Sequence, residues 1–314
     1  MDDAPTVEKF KCKTADEFLN RLSPRAQPFC TEYPPPYLFR GHADERYQLI
    51  PSALRQFVHA NGDSTNVVSR TNELQIGLEI AAMAEFFDLA DANGLSLPED
   101  SQALRGRLFN LTFNDKDRVD AEGSSIWPPD ELLSLIALGQ HYGLSTRLLD
   151  WTRHAFTAAY FAAIDAAKKN AAKQVSGLER LAVWALKNTY HFHSIASIAS
   201  PNPSEEMKRI KEITFVTAPT ATNPNLHAQR GVFTLHRPSE IVLKAQVLPE
   251  PLESVATRLQ GKNNIDQHLI EYSLPVNEAP KLLRLLAIEG VDAAALFPGY
   301  AGVVRAIEER KYQN

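Results

Sequence analysis

The sequence predicts an α+β fold, and three observations carry that reading. Helical periodicity fills the first half, short β-branched or aromatic runs fill the second, and one strand-like run stands alone far upstream. A helix-rich N-terminal half should therefore pack on a mixed, mainly antiparallel sheet that takes one strand from well before the others.

Each element has a local reason. Thr14-Ala-Asp-Glu17 has the Ser/Thr-x-x-Glu form of a capping box and is followed by Phe18, Leu19 and Leu22, so a short helix begins there. Pro34-Pro35-Pro36 forbids helix and feeds Tyr37-Leu-Phe-Arg-Gly41, a short strand. From about Val67 to Ala92 the residues Leu74, Leu78, Ala81, Ala82, Phe86 and Leu89 recur at helical spacing, with Gly94 just beyond as a stop. Further helices are expected over Glu99 to Leu111 and Pro129 to His141, the second opened by Pro128 and Pro129. Ala155 to Ala172 has the Ala-rich, aromatic composition of a buried helix packed closely on its neighbours.

The later strands are expected at Leu181–Leu186, Ile213–Thr217, Val232–Leu235, Ile241–Leu248 and Leu269–Ser273, each bounded by Pro, Asn or Gly. Helical patterns return near Leu252–Leu259, Ala279–Glu289 and Gly302–Lys311. Ser200 to Ser204 is a loop too short for a domain linker, and no repeat occurs, so residues 1–314 read as a single domain with a strand-rich remainder over 181–311.

Composition bounds the function. A chain of 314 residues, 44% hydrophobic and 23% charged, supplies its own core, which excludes disordered, collagen-like and coiled-coil classes. Thirty-three Lys and Arg against 38 Asp and Glu leave a formal charge of −5, so any polyanion site must be local. Cys12 and Cys30 are too few for a disulfide framework and suit a reducing compartment. The acidic start lacks the apolar centre of a signal peptide, and no run reaches the ~18 apolar residues of a membrane span. A cytoplasmic location with no membrane partner is expected. The dinucleotide turn, phosphate loop, zinc helix, nucleophile elbow and Cys-x-x-Cys pair are all missing. His191-x-His193 has no nearby acid or cysteine and reads as surface histidines, so no metal is expected.

Three segments differ from the rest: Tyr37 to Arg55, Gln140 to His154 and Asn223 to Arg237. They hold seven arginines (Arg40, Arg46, Arg55, Arg147, Arg153, Arg230, Arg237), no lysine and only three acids (Asp44, Glu45, Asp150), together with five of the nine histidines. Arginine without lysine points to a fixed fork for phosphate or carboxylate rather than a mobile point charge. Arg40, on a strand ending in Arg-Gly-His42, would stand at the sheet rim, where Gly41 would let a ligand approach the backbone. For Arg147 two readings stand, an internal pair with Asp150 or a ligand contact. Trp151 reads as core, and His141 and Tyr142 should leave a helix end ahead of Gly143 and face a cleft.

These residues resemble a known family. Tyr37-Leu-Phe-Arg-Gly-His42, Leu49-Ile-Pro-Ser-Ala-Leu-Arg55, Ala137 to Thr152 and Ala158-Ala-Tyr-Phe-Ala162 resemble the FRG domain, named for its Phe-Arg-Gly motif, most densely over 37–163. Ala228-Gln-Arg-Gly-Val-Phe233 and Leu296-Phe-Pro-Gly-Tyr-Ala-Gly302 resemble elements that accompany it, while Ser145 stands where many relatives have proline. FRG proteins are mainly bacterial and phage-associated. A fainter resemblance is to ADP-ribosyltransferases of the Arg–Ser–Glu type, whose core the fold is then expected to share. Arg40 matches the early-strand arginine, Ser145-Thr146 the start of the Ser-Thr-Ser strand, and Ala159-Tyr-Phe-Ala162 its helix. Gln229-Arg230-Gly231 lies where the late glutamate is expected, and a glutamine supplies no carboxylate, so Asp150 is nominated in its place.

The resemblance implies a nucleotide ligand, NAD, as substrate. Arg40, Asp150 and Gln229 would be the catalytic residues. Arg40 and Arg147 would hold the pyrophosphate, His141 and Tyr142 would line the nicotinamide or acceptor side, and Gln229 would bond a ribose hydroxyl. His42, Ser145, Thr146, Thr152 and Arg230 complete the expected ligand contacts. The implied activity is ADP-ribosyl transfer or NAD cleavage by a toxin-like effector in phage defence, on a protein or nucleic-acid acceptor left open. The rivals are a noncatalytic phosphate-ligand sensor or protein-interaction module and, third, nucleic-acid processing.

Overall fold

The structure, a computed structural model, describes residues 7–31, 36–58, 68–113, 127–172, 177–187, 212–218, 223–238, 241–263 and 269–313. His191 and His193 and the Ser200–Ser204 loop lie outside these residues.

Strands β1 (Glu8–Lys11), β2 (Tyr37–His42), β3 (Leu148–Thr152), β4 (Arg180–Lys187), β5 (Ile213–Val216), β6 (Gly231–His236) and β7 (Leu269–Pro275) form one sheet. Their order is β1-β7-β4-β2-β3-β6-β5. Only β1 and β7 run parallel, and the other pairings are antiparallel, so the α+β reading with a mixed, mainly antiparallel sheet holds. The early strand β2 sits in the middle of the sheet. β1 and β3 fall outside the strands expected from sequence: β1 is a short, largely exposed edge, and β3 interrupts its apolar run with Asp150.

The helices are α1 (Ala15–Leu22), α2 (Asn72–Ala92), α3 (Gln102–Phe113), α4 (Leu133–His141), α5 (Ala155–Ala171), α6 (Pro224–Ala228), α7 (Leu252–Asn263), α8 (Ala279–Ile288), α9 (Ala293–Leu296) and α10 (Tyr300–Glu309). One half of the α1 capping box forms as expected, Thr14 accepting from the Glu17 amide, while Glu17 accepts from the Lys13 amide, one residue ahead of the cap. Strand alternation sends Phe39, Val183 and Ile270 into a core with α1, α5 and α8, and sends Leu38, Trp184 and Leu269 to the opposite face, beneath α7. At the far end of the sheet, α2, α3 and α4 pack with Leu148, Phe233 and Leu235.

Two expectations need correction. The helix α2 exists, but its core face is Ile76, Ile80, Met83, Phe87 and Ala90, while Leu74 and Leu89 are 56% and 58% exposed. Its polar residues, Glu73, Gln75, Glu79, Glu85, Asp88 and Asp91 among them, are spread around the helix, so no periodic signal selects a face. Ile241–Leu248 is no strand either. It turns at Val242–Ala245, and its carbonyls cap the start of α2, with Ala245 and Leu243 accepting from the Asn72 and Glu73 amides.

One feature of the packing creates the site. β2 and β3 pair at a single position, Phe39 opposite Thr152, and then diverge. A gap opens between the helices over β2 and those over β3. On the β2 side, Gly41 lies so close to α5 that a Cβ would stand 2.1 Å from the Ala158 carbonyl oxygen. This glycine is required for helix-on-strand contact, and it also lines the hollow described below. Gly41→Ala should therefore lower stability by about 1–3 kcal/mol through overpacking, with β2 displaced; urea unfolding measures it, and unchanged stability would contradict the packing described.

Candidate functional site

The divergence of β2 from β3 leaves a hollow of about 500 Å³. Arg40 and Arg55 come to it from the first arginine-rich segment, Gln140, His141, Ser145, Asp150 and Thr152 from the second, and Gln229 from the third; Phe297 adds an apolar wall. The three remote segments do meet, but the arginines lining the hollow, Arg40 and Arg55, both come from the first of them.

Asp150 is the centre. Arg40 Nη1 donates to Asp150 Oδ2 at 2.8 Å and to the Asp150 main-chain oxygen at 2.7 Å. Gln140 Nε2 donates to the other carboxylate oxygen, Oδ1. The side chain is 57% exposed, and that exposure opens into the hollow. The surrounding protein works to raise its pKa, but the Arg40 charge and the bonds from Gln140 and Arg40 outweigh this and hold it below its usual value. It is a carboxylate at neutral pH.

Each partner of Asp150 is itself held. Arg40 Nε donates to His42 Nε2 at 3.0 Å, and His42 Nδ1 stands 3.2 Å from the Tyr47 carbonyl, so the ring is neutral with its proton on Nδ1. Burial, then the Arg40 and Arg55 charges, push its pKa well down, which favours that state. Thr146 donates to Gln140 Oε1 at 2.7 Å, turning the Gln140 amide nitrogen toward Asp150. His42 and Thr146 thus position the carboxylate's partners, and neither lines the hollow.

Arg55 donates from Nε to the Ile50 carbonyl and has no carboxylate partner among the described residues. Burial and the Arg40 charge pull its pKa below the ordinary value. Because Arg40 is neutralised by Asp150, Arg55 is the cation left for an anionic ligand. His141 lies at the end of α4; burial lowers its pKa despite the Asp150 charge and an Asn223 hydrogen bond, so it is a neutral imidazole at pH 7. Thr152 donates to the Gln229 main-chain oxygen at 2.7 Å, and the Gln229 amide donates to the Leu296 carbonyl at 3.2 Å, tying α9 to the rim.

Several expected contacts fall elsewhere. Arg147 does not line the hollow: its Nε bonds Glu79 Oε2 at 2.8 Å, so neither the pyrophosphate role nor an Asp150 pair fits its position. Tyr142 is 64% exposed and packs edge-on against His141 from outside. Arg230 is exposed, with a left-handed φ of 50°, and likewise does not line the hollow. Two lining residues, Arg55 and Gln140, carry roles that sequence reasoning did not give them. Both lie inside the segments that composition had marked, Gln140 one residue ahead of His141.

The Asp150 environment makes a pH prediction. A carboxyl held low in the folded state contributes stability above its ordinary pKa, lost as pH falls through the folded value. In Arg40→Met the largest lowering charge is gone while the enclosing protein remains, so the Asp150 pKa should rise above that of the wild type and above the ordinary value for an aspartate. Carboxyl-detected NMR titration checks it, and an unmoved titration would show that Arg40 does not control Asp150.

No curated protein and no solved structure matches the chain. The family model described as FRG domain matches residues 35–171, which hold β2, Arg55, Gln140, His141 and β3 with Asp150. The Phe39-Arg40-Gly41 motif at the split of the sheet and the carboxylate partner of that arginine both fall in the span, residues 35–171, that matches the FRG domain.

Proposed function

We propose that the hollow binds NAD and that the protein cleaves its glycosidic bond, transferring ADP-ribose to an acceptor or to water. The observation that carries this reading is a firmly held, ionised carboxylate facing a hollow that also contains an arginine with no acidic partner among the described residues. The charges suit the ligand. NAD has two negative charges on its pyrophosphate and one positive charge on its nicotinamide ring, and the hollow offers Arg55 to the first and Asp150 to the second. Its size lies within the range of small-molecule sites.

In the proposed reaction the bond between ribose C1′ and the ring nitrogen breaks, and its electron pair leaves with neutral nicotinamide. Positive charge develops on C1′ and the ribose ring oxygen. Asp150 stabilises that charge without reorganising, since Arg40 and Gln140 already fix its oxygens. The acceptor then bonds to C1′ and releases its proton, for which the neutral His141 is the available base. Gln229 offers its amide to a ribose hydroxyl. The fainter likeness to Arg–Ser–Glu ADP-ribosyltransferases is compatible with Arg40 and Ser145 in one hollow, with Asp150 standing in for the late glutamate that Gln229 replaces. In a cell this turnover would deplete NAD, as a toxin-like effector in phage defence would. A second reading, nucleotide sensing without turnover, draws on Gln229 and on the engagement of both Asp150 oxygens.

Incubation with NAD should release nicotinamide, detected by mass spectrometry. Asp150→Asn should slow release by about 10²–10³-fold while NAD still binds. Arg55→Ala should weaken binding by about tenfold or more, since it removes charge-assisted hydrogen bonds to phosphate. NAD that binds and is recovered intact after long incubation would favour the sensor, and absence of binding would overturn both readings.

A further inference from the structure

Arg147, displaced from the main hollow, lines a second cavity of about 310 Å³. This cavity lies beside the first: Ser52 and Arg55 line one, while Pro51 and Leu54 of the same turn line the other. Its walls are mainly apolar, with Leu54, Leu149, Ile241, Val247 and Leu252 among them.

The polar groups on these walls are unevenly satisfied. Arg147 is buried, bonds Glu79 through Nε, and leaves Nη2 with no hydrogen-bond partner. Other arginines of this chain show what such a group accommodates: Arg105 holds Asp91 and Asp100, and Arg258 holds Glu212 and Glu250. Arg147 holds one carboxylate, and its buried Nη2 is left to pair with a second. His236, also on the wall, has a buried Nε2 without a hydrogen bond, 4.0 Å from Glu250. Glu250, the acid among the lining residues, is already engaged by Arg258. Leaving buried donors unpaired is costly, and a ligand that pairs them recovers that cost.

We propose that this cavity is a binding site for a small apolar monocarboxylate, of medium-chain fatty-acid or aryl-acid type, whose carboxylate pairs with Arg147 and His236 and whose body fills the apolar walls. The site is separate from the nucleotide hollow and does not depend on the reading given to it. The apolar enclosure selects against free phosphate or a nucleotide, which would bury more charge than one guanidinium can compensate.

The probe is octanoate, titrated calorimetrically into the full chain, with octanol as the uncharged control. Replacing Arg147 would strand Glu79, so the blocking variant is Ala245→Trp, at an exposed position of the cavity mouth. Saturable one-to-one binding of octanoate, weakened about tenfold or more in octanol and in Ala245→Trp, is the expected result. Lack of saturable binding, equal binding of octanol, or equal octanoate binding by folded Ala245→Trp would each overturn the proposal. NAD binding by Ala245→Trp, measured in parallel, separates this outcome from any failure of the main hollow.

Discussion

The Arg40–Asp150 pair across the split sheet is the constraint on which the site depends. Where β2 and β3 stop pairing, the strands would leave main-chain groups without ladder partners, and such groups need replacements. Arg40 supplies one: the nitrogen that meets the Asp150 carboxylate also takes the Asp150 carbonyl. One guanidinium therefore closes the ladder's end and fixes the only carboxylate among the described side chains lining the hollow. Sheet architecture and site electrostatics are coupled at this residue.

The coupling extends outward through neutral groups. Arg40 needs an acceptor for its Nε, and a neutral His42 provides one, while a protonated ring would set two cations against each other. The Tyr47 carbonyl beside His42 Nδ1 favours the acceptor tautomer. On the other side, Thr146 occupies the Gln140 oxygen and also accepts from the Leu148 amide, so the orientation of Gln140 is tied to the start of β3. Neither chain of contacts adds charge to the hollow. Its electrostatics reduce to two guanidiniums and one carboxylate, with Arg55 unneutralised.

This explains what the sequence disclosed and what it withheld. Arginine clustering without lysine marked three segments that do meet, and the Phe-Arg-Gly run marked the strand on which the sheet divides. The sequence did not show which arginine faces which side. Arg46, Arg147 and Arg237 are held by Asp44, Glu79 and Asp130, and two of those acids lie far from their arginines along the chain. Glu79 in particular lies on α2, whose buried face the pattern misassigned, so an arginine pairing with it could not be foreseen. Arg55 and Gln140 were within reach of composition but not of motif reasoning, because their roles follow from the partners of Arg40 and Asp150. The turn at Val242–Ala245 was hidden for a related reason: its apolar residues look strand-like, while its hydrogen bonds serve the end of a distant helix.

The way Asp150 is held also bears on the kind of catalysis the proposed reaction would use. A carboxylate that attacks C1′ must free an oxygen and move toward carbon, yet both Asp150 oxygens are engaged, Oδ2 by Arg40 and Oδ1 by Gln140. Breaking either bond in a protein-walled site gives up a charge-assisted interaction. A fixed carboxylate is better suited to stabilising positive charge through space than to forming a covalent ribosyl ester, and it is ready before the bond breaks. The same fixation narrows acceptor choice: the nucleophile must come from outside the Arg40–Asp150–Gln140 array, past other lining residues such as His141, Ser145 and Gln229. It is there, and not at Asp150, that the difference between water and a macromolecular acceptor would be decided.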